Sequence, residues 1–181
     1  MNSTILILLI IVSILIIIIL SKYNSLVKLQ NKVKQAESGI DVYLNQRFDL
    51  IPNLVECVKG YAKHEKEVLE SVAKMRAEYM QGNKDLKNAK KINDGMNKIL
   101  AIAENYPDLK ASEQFLNLQK NLSKMESQLQ AARRIYNNEV TKFNTKINVV
   151  PDNIIAKMFG FKEKDLFEIE EYKKENINVD L

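Results

Sequence analysis

The residues with the greatest chemical potential in this chain are one histidine, His64, and one cysteine, Cys57. A lone cysteine cannot form an intramolecular disulfide, and a metal site would have to be built almost wholly from carboxylates. Free cysteines are commonly small buried residues, so Cys57 is predicted to be a buried position on a helix. Neither residue favours catalysis.

The neighbours of His64 resemble a metal-binding motif but lack its second ligand. His64-Glu65-Lys66-Glu67-Val68 begins like the metalloprotease signature His-Glu-x-x-His, and Val68 stands where the second histidine must be. Tyr61 lies three residues before His64, which excludes a Glu-x-x-His pair of the kind found in metal-binding bundles. His64 is therefore predicted to be a solvated helix residue, with no metal site.

Other catalytic arrangements are also missing from the sequence. It contains no glycine-rich phosphate loop, and a serine or cysteine triad would have to use His64, which lacks suitable partners. Lys+Arg 27 against Asp+Glu 23 gives a net charge of +4, too even for a dedicated nucleic-acid binder. The sequence predicts no catalytic residue, no cofactor and no nucleic-acid partner.

The N-terminus carries an uncharged apolar run that predicts a transmembrane anchor over residues 1–21. At about 1.5 Å per residue it forms roughly 26 Å of helix, and the residues before it supply the remaining turn needed for a ~30 Å hydrocarbon core. The run lacks the leading cations and terminal small residues of a cleaved signal peptide. Its apolar members are Ile5, Leu6, Ile7, Leu8, Leu9, Ile10, Ile11, Val12, Ile14, Leu15, Ile16, Ile17, Ile18, Ile19 and Leu20.

The charges after the anchor predict its orientation. Lys22, Lys28, Lys32 and Lys34 all precede the first acidic residue, Glu37. The positive-inside rule therefore predicts a single-pass protein of the cell membrane whose soluble domain is cytoplasmic, with the lipid bilayer as its first partner.

Past the anchor, apolar residues recur mostly at gaps of three and four, which predicts amphipathic helices. The first is expected to end near residues 48–50, where Asp49 could cap a second helix and Pro52 would lie in its first turn. The second helix is predicted to run to Tyr79. The alternative is one long helix kinked at Pro52.

Two further helices are predicted after the loop Gln81-Gly82-Asn83. One covers about 85–104, and the other about 112–145 with Ile135 and Tyr136 among its inward residues. The predicted fold is all-α: an N-terminal transmembrane helix followed by an antiparallel four-helix bundle over residues 22–148, with packing of the coiled-coil type.

Residues 149–181 are predicted to form a C-terminal tail whose last residues are flexible. Its apolar part, Val149 to Phe167, includes Phe159 and Phe161. Helix four returns to the membrane-proximal end in such a bundle, so the tail begins there. Covering the open end of the bundle is the favoured expectation, and lying in the headgroup layer is the alternative.

Several segments in order resemble the LemA family. They are KYNSLVKLQNKV from Lys22, IDVYLNQRFDLIPNLVECVKGYAKHEKEV from Ile40, AENYPDLKASEQFLNLQ from Ala103, AARRIYNNEVTKFNT from Ala131, and the late Gly160-Phe161. The resemblance implies an N-terminal membrane helix, a four-helix soluble domain and an association with membrane protein quality control. It implies no defined ligand site.

The leading functional hypothesis is a membrane-tethered scaffold or adaptor that holds an unidentified protein partner near the bilayer. The alternative is a structural or membrane-shaping protein that acts as a homo-oligomer. Interaction or structural roles are predicted for Arg47, Asp49, Pro52, Tyr61, Tyr136, Phe159 and Phe161. Arg47 is expected to pair with Asp49 or with helix-terminal carbonyls, and a solvated loop charge is the equally weighted alternative.

Overall fold

The computed structural model describes residues 3–82 and 86–167, and these residues form helices and connecting segments without a β-strand. The all-α prediction with a long apolar N-terminal helix is confirmed. Parts of the predicted anchor, loop and tail, including Asn83 and the last residues of the tail, lie outside the described residues. The helices are α1 (Ser3–Phe48), α2 (Ile51–Lys59), a 3₁₀ turn (Lys63–Glu65), α3 (Lys66–Met80), α4 (Leu86–Ala103), α5 (Pro107–Ala111), α6 (Glu113–Asn148) and α7 (Asp152–Met158).

Helix α1 continues without a break from the apolar run into the body of the protein. Among the described residues, one helical stretch is long and apolar enough to cross a membrane, with a mean hydropathy of 3.4 over a window of which 0% is buried. Ser13 donates its hydroxyl to the Leu9 carbonyl at 2.8 Å. This bond satisfies the single polar side chain of the run within the helix itself.

The break between the first two helices lies where the sequence predicts it, but its capping differs. Helix α1 ends at Phe48, and Pro52 lies in the first turn of α2 as expected. The N-cap residue is Leu50 and it makes no side-chain cap, so the predicted capping role of Asp49 is wrong.

The predicted second helix is interrupted in the structure after Lys59. Gly60 ends α2, Ala62 has a φ of −105° and a ψ of 67°, and α3 starts only at Lys66. Glycine weakens a helix, yet Val58 before the break and Leu69 after it are both buried. Because the apolar periodicity continues across the interruption, periodicity alone could not reveal it.

The later helices follow the sequence prediction closely, with two differences. Pro107 starts the short helix α5 between the two helices predicted at about 85–104 and 112–145, and α6 extends to Asn148. At the start of α6, the Phe115 amide donates to the Ser112 hydroxyl at 3.2 Å. Ile135 was predicted to point inward and is 57% exposed, because its neighbour Tyr136 occupies the buried face.

The helices divide into two compact units, each with its own buried side chains. Unit 1 comprises residues 1–38 and 132–181, and its described core includes Leu26, Val33, Val140, Phe143 and Ile147. Unit 2 comprises residues 39–131, and its core includes Phe48, Leu54, Ile92, Met96, Ile99 and Leu129.

Helices α3 and α4 approach each other closely within unit 2. Gly95 is buried on α4, and a Cβ placed there would lie 2.6 Å from Cγ2 of Val72 on α3. The side chain of Val72 fills the space that a larger residue at position 95 would need. This contact explains why glycine is accommodated in the middle of a helix, where it is normally unfavourable.

Candidate functional site

The end of α1 is held by two arginines, both within unit 2. The Arg47 side chain is buried, with the whole residue 7% exposed, and it forms an ion pair with Glu126 on α6. The amide of Gln130 donates to the other oxygen of the Glu126 carboxylate at 2.8 Å. The structure therefore places Arg47 in a buried network. This excludes the alternative that Arg47 is a solvated charge in a loop.

The second arginine performs the role that the sequence suggested for Arg47. Arg76 on α3 donates from Nε to the Phe48 carbonyl at 2.8 Å and from Nη2 to Oδ1 of Asp49 at 2.9 Å. A cation at a helix C-terminus neutralises the partial charge of the last carbonyls. The expected pairing of Arg47 with Asp49 is wrong because Arg76 approaches the same end of α1 from a different helix.

An open groove of about 440 Å³ lies beside this junction on unit 2. It is lined by Ile51, Pro52, Val55, Glu56, Lys59, Ala73 and Arg76. The lining combines apolar side chains with charges of both signs. Pro52 thus joins Arg76 at one surface, while Tyr61, 45% exposed, is not part of the lining.

The residues considered first for catalysis do not assemble into a reactive centre. Burial raises the pKa of the Cys57 thiol, a hydrogen bond with Ser112 opposes this shift, and the net pKa lies above its ordinary value. A raised pKa reduces the thiolate fraction on which cysteine reactivity depends. His64 is exposed, and the described residues contain no group of three or more potential metal ligands.

A second cluster lies in unit 1, directly after the apolar run of α1. Asp152 at the start of α7 is buried and accepts from Nζ of Lys22 at 3.1 Å and from Nζ of Lys146 at 3.2 Å. Burial alone would raise the pKa of this carboxyl. The two ammonium groups outweigh burial and hold the pKa of Asp152 below its usual value.

Aromatic rings extend this cluster from the anchor helix to the tail. The ring of Tyr23 lies 4.7 Å from that of Phe159 and 6.0 Å from that of Phe161, measured between centroids. Phe161 also contacts Phe143 of α6 at 6.3 Å. The structure therefore brings the predicted residues Phe159 and Phe161 together around Tyr23.

The chain from Phe161 to Phe167, here called the strap, is held along α6 by asparagine side chains. The amides of Lys164 and Phe167 donate to Oδ1 of Asn144 and Asn137 at 3.0 and 2.8 Å. The same asparagines donate back to the carbonyls of Lys164 and Phe167 at 2.8 and 3.0 Å. Each asparagine thereby forms a two-bond pair with one backbone residue, as a neighbouring β-strand would.

The spacing of these two pairs fits the geometry of the two segments. Asn137 and Asn144 are separated by about 10.5 Å along a helix at 1.5 Å per residue. Lys164 and Phe167 are separated by about 10 Å in an extended chain at 3.3 Å per residue. The strap can therefore run antiparallel to α6 with both pairs in register.

Tyr136 fixes the far end of the strap. Its hydroxyl donates to the Asp165 carbonyl at 3.1 Å, and its ring meets that of Phe167 edge-on at 5.6 Å. The guanidinium of Arg133 lies 5.6 Å from the centre of the Phe167 ring. Burial, with the charges of Glu37 and Asp165, raises the pKa of Tyr136, so its hydroxyl remains a donor.

Comparison with known proteins identifies the family. The model of the LemA family matches residues 36–181. The chain belongs to the LemA family. It is 26% identical over 160 residues to Protein LemA of Metamycoplasma hominis, covering 86% of this chain and 73% of that protein.

Further relatives of this LemA family chain are named as magnetosome proteins. It is 21% identical over 179 residues to Magnetosome protein MamQ 1 of Paramagnetospirillum magneticum, covering 83% of the chain and 66% of the relative. Magnetosome protein MamQ of Magnetospirillum gryphiswaldense is 21% identical over 178 residues, and the chain spans 65% of its length. Family and anchor together support membrane association. The names of these relatives state no reaction, and the absence of enzymatic activity stays a prediction.

Several residues that organise these sites were not singled out by the sequence analysis. They are polar residues, which on a helix usually face solvent: Arg76, Glu126, Asn137, Asn144 and Asp152. The seven-residue spacing of Asn137 and Asn144 places them on one helix face, and it is the one sequence signal that could have indicated a shared role.

Proposed function

We propose that this LemA family protein is a membrane-tethered interaction module that holds a protein partner at the cytoplasmic face of the cell membrane. The observation that carries the proposal is the groove beside Pro52, because it is an open and mainly apolar surface on a chain whose N-terminal helix has the properties of an anchor.

The lining of the groove indicates the kind of segment that it would bind. Its apolar contact surface is formed by Ile51, Val55 and Ala73. The groove is flanked by the opposite charges of Glu56 and Lys59. Such a groove suits a short amphipathic segment of another protein, whose apolar side chains enter while its charged side chains pair at the rim. A volume of about 440 Å³ accommodates a few side chains and no large domain.

Site-specific photocrosslinking in intact membranes tests the proposal. A benzoylphenylalanine placed at Val55 or Ala73 should crosslink to a protein partner. Asn53 and Ser71 are matched control positions, since each lies two residues away and roughly 200° around the same helix. Both controls are exposed.

The outcomes separate the two functional hypotheses. A discrete crosslinked partner at the groove positions, absent at the controls, supports the adaptor. A product of twice the mass of the chain would instead favour self-association as the function. Equal background labelling at all four positions would overturn the adaptor proposal.

The cytoplasmic orientation of the soluble region is part of the proposal and rests on the lysines after the anchor. It can be tested with a Cys57→Ser, Ser71→Cys chain and a membrane-impermeant maleimide. Labelling only after the membrane is permeabilised supports the orientation, and labelling of intact cells contradicts it. A link to membrane protein quality control, implied by the family resemblance, stays a prediction.

A further inference from the structure

The turn after α6 and the outer face of α7 form an exposed apolar surface, here called the α7 face. Its members Val150, Ile154, Met158 and Phe159 are 77%, 62%, 59% and 49% exposed. Ile154 and Met158 are four residues apart and lie on the same side of the helix. The opposite side of α7 is buried through Ile155 and Ala156, so the helix already has an inner packing face.

The α7 face lies beside the end of the membrane anchor. Asp152 pairs with Lys22 at 3.1 Å, and Phe159 contacts Tyr23 with ring centroids 4.7 Å apart. Lys22 and Tyr23 follow Leu20, the last residue of the apolar run, by only two and three residues, a rise of about 3–4.5 Å. If the run fills a ~30 Å hydrocarbon core, α7 lies at the depth of the headgroup layer, which is about 5–7 Å thick.

The direction of α6 places the turn on the side of the anchor. Tyr136 is electrostatically coupled to Glu37, whereas Asp152, further along the chain, is bonded to Lys22. Helix α6 therefore runs antiparallel to α1 within unit 1, and its C-terminal end approaches the apolar run. Val149 and Val150, which follow that end, are 44% and 77% exposed.

We propose that the α7 face inserts into the headgroup layer of the bilayer that α1 spans, as a second membrane contact. The surface has the composition of an interfacial helix: large apolar side chains on one side, with Tyr23 against Phe159 and the exposed cations Lys157 and Lys162 nearby in sequence. Lipid accounts for an exposed apolar face at this depth without a second protein. The inner face of α7 packs on unit 1 through Ile155 and Ala156, while the opposite α7 face contacts the membrane.

Tryptophan fluorescence of the full chain provides a direct test, because the sequence contains 0 tryptophans. Ile154→Trp and Met158→Trp chains are reconstituted into vesicles of phosphatidylcholine and phosphatidylglycerol, with or without bromine on the acyl carbons nearest the headgroup. Ile135→Trp and Leu166→Trp serve as controls, since these positions are 57% and 52% exposed. Ile135 lies about 20 Å from the C-terminal end of α6, after which the chain turns into α7.

The proposal expects emission at shorter wavelength and loss of intensity with brominated lipid at positions 154 and 158, but not at 135 and 166. Tryptophan emission at shorter wavelength without quenching by brominated lipid would mean that protein covers the α7 face. Emission at the wavelength of a solvent-exposed tryptophan would mean that the α7 face is exposed to water. Either result overturns the proposal. Ile154→Asp in the Met158→Trp chain should also reduce quenching, and unchanged quenching would contradict insertion.

Discussion

At the residue scale, Arg47 shows how a charge near a helix end becomes part of a core. Its carboxylate partner, Glu126, lies 79 positions later in the chain, so no local pattern could identify the pair. The nearby acid Asp49 was the reasonable local choice, and it pairs instead with Arg76. Tertiary packing decided both partners.

Replacing Arg47 with alanine should destabilise the protein by about 2–3 kcal/mol, because the ion pair is buried on the arginine side and Glu126 would lose its cation. Thermal unfolding of the full chain in detergent, followed by circular dichroism, measures the change. The control is Arg134→Ala, at an exposed position of the same helix as Glu126. It should change stability by about 0.5 kcal/mol or less. Equal effects of the two variants would show that the Arg47 pair is unimportant.

Gly95→Ala should destabilise unit 2 by about 1–3 kcal/mol, because the added methyl group would lie 2.6 Å from Cγ2 of Val72. Val72→Ala in the same chain should offset part of this loss by removing the clash. Gly39→Ala is the matched control on a helix, with nothing within 4 Å of the new Cβ. It should stabilise the protein by up to about 1 kcal/mol. Additive losses in the Gly95 and Val72 double variant would contradict the proposed contact.

At the element scale, the helices themselves were largely predictable, while their interruptions and attachments were not. The apolar spacing located α4 and α6 to within a few residues because a stripe of buried side chains marks each helix directly. The break at Gly60 leaves that stripe intact, and the strap is held by backbone bonds to Asn137 and Asn144 that have no apolar signature. The local apolar spacing therefore predicted the helices, whereas the attachment of the strap depends on long-range hydrogen bonds that the spacing does not show.

The strap should detach when its asparagine pairs are removed. In an Asn137→Ala, Asn144→Ala chain, the amides of Lys164 and Phe167 lose their acceptors, and their hydrogen exchange should accelerate. Asn121→Ala, at an exposed site of the same helix, should leave that exchange unchanged. Unaltered protection of both amides in the double variant would show that the aromatic contacts alone hold the strap.

The attachment of α7 should depend on acid pH through Asp152. Because the pKa of this carboxyl is lowered in the folded protein, it stabilises the fold above the unfolded value of about 3.9. That stabilisation is lost as the pH falls through the folded pKa. Asp152→Asn should therefore unfold at a lower temperature than the parent at neutral pH, with a difference that shrinks below about pH 4. A constant difference across this range would exclude the ion pairs as its source.

At the scale of the whole molecule, membrane attachment and internal packing are properties of different parts of the chain. The described apolar residues of the run are exposed except Ile19, which is half-buried, and the buried core begins only at Leu26. The run is therefore available for membrane attachment and contributes little to internal packing. Its length, composition and position allowed this apolar helix to be predicted from the sequence, whereas no local motif identifies a protein partner.

Deleting residues 1–21 should consequently yield a helical protein that unfolds cooperatively, since none of the described residues that it removes is buried and Lys22 is retained for its bond to Asp152. Circular dichroism and thermal unfolding measure the fold, and size-exclusion chromatography measures association. The exposed α7 face remains in the truncated chain and could cause aggregation of a folded protein. Ile154→Ser with Met158→Ser in that chain separates the two effects, because both side chains are exposed and lie outside the core. If this variant too shows little helix or unfolds without a cooperative transition, the anchor is required for folding. The claim that the core forms independently of the apolar run is then wrong.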